Sequence, residues 1–224
     1  MLYLTLLILL VTVYGHGDHD HDDDDSSPKS RRLNFDGSQE DDLNTELLSA
    51  SKTGAPVWTP EKLHDLLGQG ASLTHARDEE NGFSVLHWMA NNGWDIKNFP
   101  LWRYVLSRND GRALVHATDD EDATPLHRAA INNCLAIAEY LLEFGADIEA
   151  TDKHGFTPLH YSIRFARKET ALMLIEKGAD VNVPVNATNP QTAPLPMAKS
   201  FAKSTGDKGT FSAIVKALKK RGAK

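Results

Sequence analysis

The tetrapeptide Thr-Pro-Leu-His occupies residues 124–127 and recurs at residues 157–160, 33 residues later. The triplet Gly-Ala-Asp repeats with the same spacing, at residues 145–147 and at residues 178–180. An apolar segment of helical length separates the two kinds of match in each copy. Two independent matches in one register therefore indicate a repeated structural unit rather than a chance similarity.

The residues of the repeated tetrapeptide each have a local physical role. Thr124 suits the N-cap of a helix, since its hydroxyl can satisfy a free backbone N–H. Pro125 suits the first helical turn, where its missing N–H costs nothing. Gly145 follows the second apolar segment and suits the left-handed position that ends a helix. Each unit is therefore predicted to be a pair of short helices.

Both copies resemble the ankyrin repeat, whose period is 33 residues and whose signature is Thr-Pro-Leu-His-x-Ala. Weaker copies lie around residues 82–90, 193–198 and 59–72. Departures from the consensus are expected near the ends of the array, because terminal repeats face water on one side. The resemblance covers residues 41–224. It implies an all-α ankyrin-repeat solenoid of four to five helix–turn–helix units, joined by short hairpin turns.

The N-terminal residues 1–14 contain no charge, proline or glycine. A helix of that length would rise about 21 Å, which is short of a bilayer core of about 30 Å. We therefore predict a signal peptide over residues 1–15, with an uncleaved signal anchor as the alternative. The protein would then be secreted or lie in the secretory lumen, without a membrane after cleavage. Asn186 would be a glycosylation site, because Thr188 completes its sequon.

Residues 16–40 are predicted to be a disordered acidic linker, because they are rich in charge and poor in apolar side chains. His16, His19 and His21 alternate with aspartates there. Imidazole suits zinc, copper or nickel, so one hypothesis is a metal-binding tail in a protein that handles divalent metals. The other is a solvated spacer that binds metal only incidentally.

A short basic string in the linker, Arg31-Arg32-Leu33-Asn34, precedes acidic residues. It is similar to the RxLR leader of secreted oomycete effectors, although Asn34 stands where that pattern has its second arginine. This resemblance implies an alternative function, a secreted pathogen effector acting in host cells.

Composition excludes several classes of protein. The chain has 224 residues and a net charge of −7, and Cys134 is its single cysteine, so a disulfide scaffold is excluded. Six aspartates in residues 18–25 carry most of that charge, and residues 27–224 sum to only −1. The folded part therefore lacks the strong positive field of a nucleic-acid-binding protein. We expect a monomer that binds another protein and no nucleic acid.

No pattern of a nucleophile, phosphate loop or metalloprotease is present, so we expect no enzyme and no cofactor. His87, His127 and His160 occupy one position in three successive units and are interpreted as buried structural side chains. Cys134 begins a second helix, where thiol pKa values fall. We interpret it as a structural thiol, with a nucleophile as the alternative.

The resemblance implies protein binding through the concave face and the turn tips. Trp88, Arg128 and Tyr161 share one position, directly after the repeated histidine. We expect the aromatic side chains among the candidates to be partly exposed and to form one stripe with the arginines. A packed-core position is the alternative for Trp88, because its repeat is the irregular one. The predicted contact residues are Trp88, Asn92, Arg128, Asn132, Tyr161, Arg164, Phe165 and, at a turn tip, Lys153.

Overall fold

The computed structural model describes residues 37–53, 59–92 and 99–223. These residues form eleven α-helices and no β-strand. The helices are α1 (Gly37–Thr53), α2 (Pro60–Gln69), α3 (Val85–Asn91), α4 (Phe99–Ser107), α5 (Asn109–Ala113), α6 (Pro125–Asn132), α7 (Leu135–Glu143), α8 (Pro158–Arg164), α9 (Lys168–Lys177), α10 (Pro194–Thr205) and α11 (Lys208–Lys220). The predicted all-α solenoid is confirmed.

The helices pair into five units in chain order. Unit 1 is α1 with α2, unit 2 is α3 with α4 and the extra helix α5, and units 3, 4 and 5 are α6 with α7, α8 with α9, and α10 with α11. The first helices stack in the order α1, α3, α6, α8, α10, and α7, α9 and α11 stack beside them. Helix α1 begins at Gly37, which is four residues before the predicted domain start at residue 41.

The local roles predicted for the repeated residues are the ones observed. Thr124 and Thr157 are extended N-cap residues, and a proline follows each of them at the first helical position. Gly178 ends α9 with φ of 104°, the left-handed conformation that costs glycine little. These signals act within one turn of helix, so they fix the helix ends before the units stack.

One apolar core runs along the whole stack, from Leu47 in α1 to Leu218 in α11. The repeated leucines Leu126 and Leu159 lie inside it and are essentially inaccessible to solvent. Each unit covers the apolar side of the next, so stability comes from neighbouring units rather than from contacts distant in the chain.

Candidate functional site

An aspartate organises the turn before the first helix in units 3 and 4. In unit 3, Oδ1 of Asp119 accepts hydrogen bonds from the backbone N–H groups of Glu121 (2.9 Å) and Ala123 (3.0 Å). In unit 4, Oδ1 of Asp152 accepts from those of His154 (2.9 Å) and Phe156 (2.8 Å). The second oxygen of each carboxylate points toward the helix that follows.

That second oxygen binds Arg128 in unit 3. Nε and Nη2 of Arg128 donate to Oδ2 of Asp119 at 3.1 and 2.5 Å, and the guanidinium lies 4.4 Å from the ring centre of Phe83. Because the Asp119 side chain is buried, this charge partner offsets the cost of removing the carboxylate from water. Arg128 therefore holds its own turn.

Tyr161 plays the same part in unit 4. Its hydroxyl donates to Oδ2 of Asp152 at 2.5 Å, and burial together with that acidic partner raises the pKa of the phenol. Only part of the Tyr161 ring remains open to solvent. The shared position after the histidine was predicted for partner contact, and in units 3 and 4 it serves the aspartate nine residues earlier.

Trp88 occupies this position in unit 2, and the expectation that it is partly exposed is wrong. Its side chain is only 9% accessible, and its ring centre lies 5.0 Å from that of Phe83. The ammonium group of Lys52, at the end of α1, covers the ring at 5.0 Å. The C-terminal end of α1 therefore covers Trp88.

Asn92 and Asn132 connect neighbouring units. The side-chain amide of Asn92 donates to the backbone carbonyls of Ser51 (3.0 Å) and Lys52 (2.9 Å), which α1 leaves free at its C-terminus. The amide of Asn132 donates to Oδ1 of Asn91 at 3.3 Å. Both asparagines have a structural task besides any partner contact.

Lys153 lies at an exposed turn tip, as expected. Its backbone N–H donates to the carbonyl of Glu121 at 3.0 Å, and its ammonium group donates to the carbonyl of Asp120. The tips of units 3 and 4 are thereby joined to each other.

An exposed aromatic surface is present in unit 4. Phe165 is 42% accessible, and its ring stacks on Tyr161 with centres 6.2 Å apart and an angle of 15°. Phe156 lies against the other side of Tyr161 at 5.3 Å, and the exposed Arg164 lies 5.3 Å from the Phe156 ring centre. We name Phe156, Tyr161, Arg164 and Phe165 the unit-4 surface. Phe156 was not predicted to belong to the surface. The signal for it in the sequence is that Phe156 directly precedes the N-cap Thr157, as Phe83 directly precedes the N-cap Ser84 in unit 2.

The three repeated histidines are buried and link the units. In His160, Nδ1 accepts from the N–H of Thr157 at 3.1 Å, so Nε2 carries the proton and donates to the carbonyl of Val183 at 3.0 Å. His87 and His127 make the same bonds, to the carbonyls of Ala123 and Phe156. Burial lowers the pKa of His87 and of His160 to about 4, and it also lowers that of His127. All three imidazoles are structural groups.

Cys134 is half-buried, and its burial raises the pKa of the thiol. Its sulfur lies 3.6 Å from the carbonyl oxygens of Ala90 and Asn132. A raised pKa is the opposite of what a thiolate nucleophile needs, so the structure favours the structural interpretation.

Several predicted features lie outside the described residues, namely the signal peptide, most of the acidic linker, the basic string at Arg31–Asn34, and the metal candidates His16, His19 and His21. Within residues 37–53, 59–92 and 99–223, no group of three or more His, Cys, Asp or Glu side chains is placed to hold a metal ion. No helix in the described part of the chain has the length and apolar character to cross a bilayer.

Asn186 lies on an exposed loop between α9 and α10. Its Oδ1 accepts from the backbone N–H of Thr188 at 2.9 Å and from the hydroxyl of Thr188 at 2.7 Å. The two essential sequon residues therefore lie together at the surface.

Comparison with known proteins agrees with the geometry. The family described as "Ankyrin repeats (3 copies)" matches residues 57–152 and 113–185. A curated relative from Danio rerio, named "Putative palmitoyltransferase ZDHHC13", is 30% identical over 146 residues, which are 65% of this chain. The chain spans only 21% of the length of that relative.

Proposed function

Because the chain belongs to the ankyrin-repeat family, we propose that it is a non-catalytic module that binds a partner protein through the unit-4 surface. The observation that carries this proposal is the exposed Phe165 ring, stacked on Tyr161 beside Arg164. Elsewhere in the described residues, large apolar side chains are buried or partly buried. Aromatic and arginine side chains together are the usual anchors of protein interfaces.

We do not assign to this chain the palmitoyltransferase activity in the relative's name. The match covers about a fifth of that protein. The single thiol of this chain, Cys134, is also held in its protonated form by burial.

A photo-crosslinker tests the binding role directly. We expect p-benzoylphenylalanine in place of Phe165 to give a discrete adduct in the native compartment, and excess unmodified protein should suppress it. The matched control places the same group at Lys177, which is exposed on α9 in the other row of helices. Equal adducts from both positions, or none from position 165, would contradict the proposal.

We further propose that this binding occurs in the secretory pathway or outside the cell. The uncharged segment over residues 1–14 and the accessible sequon at Asn186 support this location. Expression in a eukaryotic cell should give a protein that begins near His16 and carries a glycan removable by endoglycosidase. Asn186→Gln should remove only the glycan, and deletion of residues 1–15 should remove both features. An unprocessed, unglycosylated intracellular product would contradict the location.

A further inference from the structure

The first helices of units 2 to 5 contain no acidic residue. Helices α3, α6, α8 and α10 carry instead four cationic side chains, namely Arg128, Arg164, Lys199 and Lys203. The acids of units 3 and 4 lie in the turns and in the second helices α7 and α9. From unit 2 to unit 5, the first helices are therefore positive, whereas the turns before units 3 and 4 are rich in acidic residues.

Three of the four cations have no acidic partner within residues 37–53, 59–92 and 99–223. Arg128 is neutralised by the buried Asp119. The ion pairs among the described residues include none of Arg164, Lys199 and Lys203, and all three side chains are exposed. Their charge is available to a ligand.

A groove of about 710 Å³ is lined in part by two of these cations. It lies between α10 and the loop before it, and its lining includes Lys199, Ser200, Lys203 and Gln191. Ser200 stands six residues after the proline that begins α10, as Arg164 does in α8. Because α8 and α10 pack side by side, Arg164 lies on the helix next to the one that carries the two lysines.

The apolar part of this surface is Phe165. It follows Arg164 directly, and its ring is 42% accessible while its other side rests on Tyr161. A supported ring next to unpaired cations offers one apolar contact and several charged contacts within a few residues of extended chain. We name Arg164, Phe165, Lys199 and Lys203 the α8–α10 surface.

We propose that the α8–α10 surface binds an extended segment of the partner protein that carries several carboxylates and one bulky apolar side chain. This inference rests on the proposed binding function and adds the chemistry of the partner. The apolar side chain packs on Phe165, and the carboxylates pair with Arg164, Lys199 and Lys203. Since these cations are exposed to solvent, binding weakens as salt rises.

Selection from a random dodecapeptide library displayed on phage tests this inference on the full chain. We expect the enriched peptides to be acidic and to contain a bulky apolar residue. The variant Arg164→Glu/Lys199→Glu/Lys203→Glu should select basic peptides instead. The control Lys177→Glu/Lys216→Glu/Lys220→Glu makes the same change in net charge on exposed positions of α9 and α11, and it should still select acidic peptides.

Fluorescence anisotropy with the most enriched acidic peptide gives the size of the effect. Charge reversal on the α8–α10 surface should weaken binding at least about 10-fold, and Phe165→Ala should weaken it about 10-fold. Enrichment of basic or neutral peptides by the natural chain, equal weakening by the control variant, or no enrichment at all would overturn the inference. If neutral or basic peptides bind and depend on Phe165, the binding function stands without the acidic preference. If the crosslinker at position 165 also finds nothing, both proposals fail.

Discussion

Units 2 and 4 share a helix cap but treat the same position differently. Ser84 with His87, and Thr157 with His160, form equivalent capping boxes. The next residue is Trp88 in unit 2, which is buried, and Tyr161 in unit 4, which is half-buried beside the exposed Phe165. The repeat register therefore sets where a side chain leaves its helix but not whether solvent reaches it.

The neighbouring unit makes the difference. In unit 2, Asn92 ties α3 to the last carbonyls of α1, and Lys52 then lies over Trp88. In unit 4, the residue equivalent to Asn92 is Phe165, which has no side-chain amide to donate and stays open. At this position unit 2 has an amide that closes a contact with unit 1, whereas unit 4 has an exposed aromatic ring.

The largest expected effect is the difference in stability loss between substitution of the buried Trp88 and substitution of the exposed Phe165. Trp88→Ala should lower the free energy of unfolding by about 3–5 kcal/mol, because it leaves a cavity in packed surroundings. Phe165→Ala should change it by no more than about 0.5 kcal/mol. Urea unfolding followed by circular dichroism measures both. Similar costs at the two positions would show that Phe165 is a core residue and would remove it from the proposed surface.

A second contrast concerns two left-handed glycines. Gly145 has φ of 89° with open space around it, whereas at Gly155, with φ of 81°, an added Cβ would collide with the carbonyl oxygen of Val185. Gly145→Ala should cost about 1–2 kcal/mol from backbone conformation alone. Gly155→Ala should cost at least about 1 kcal/mol more, because overpacking adds to it. Equal urea midpoints for the two variants would mean that the backbone at Val185 moves away from the added Cβ without a measurable loss of stability.

The buried histidines predict a shared loss of stability in acid. His87 and His160 have pKa values of about 4 in the folded chain against an ordinary 6.5, because burial disfavours the charged imidazole. Between these values the unfolded chain takes up protons first. The contribution of these imidazoles to the free energy of unfolding is therefore complete above pH 6.5. It decreases toward pH 4, by at most about 1.4 kcal/mol per pH unit for each imidazole.

Urea titrations between pH 7 and pH 4.5 measure this slope. His160→Gln should lower stability at pH 7 and make the pH dependence shallower. Ser212→Ala, at an exposed position of α11 without a titratable side chain, serves as the control and should keep the natural slope. If His160→Gln retains the full slope, that imidazole is not the group that resists protonation.

The smallest expected effect is a gain in unit 3. Asp122 has φ of 57°, and it precedes Ala123 as Gly82 and Gly155 precede the phenylalanines of units 2 and 4. Asp122→Gly should raise the free energy of unfolding by up to about 1 kcal/mol by relieving the left-handed strain. A lower urea midpoint in the variant would show that the Asp122 side chain stabilises the turn by more than the backbone strain costs.

The sequence alone predicted the repeat period, the helix starts at Pro125 and Pro158, and the structural role of His127 and His160. The helix starts depend on contacts within a few residues, so a tetrapeptide contains the information that they need. The histidines also bond carbonyls 29 and 23 residues away, and their role was predictable because they recur at one position of the repeat. The raised thiol pKa of Cys134 depended on how deeply the stack buries its sulfur, and only the structure supplied that.

The tertiary structure decided which predicted contact residues remain available to a partner. Arg128 and Tyr161 are held by aspartates nine residues earlier, and Asn92 is held by carbonyls about 40 residues earlier. The two aspartates recur with the 33-residue period, but their hydrogen bonds to Arg128 and Tyr161 form only when the turns fold back onto the helices, and the contact of Asn92 forms only when the units stack. Phe165 is left exposed for the same reason, since exposure depends on what the neighbouring helices cover rather than on the residue's place in the repeat.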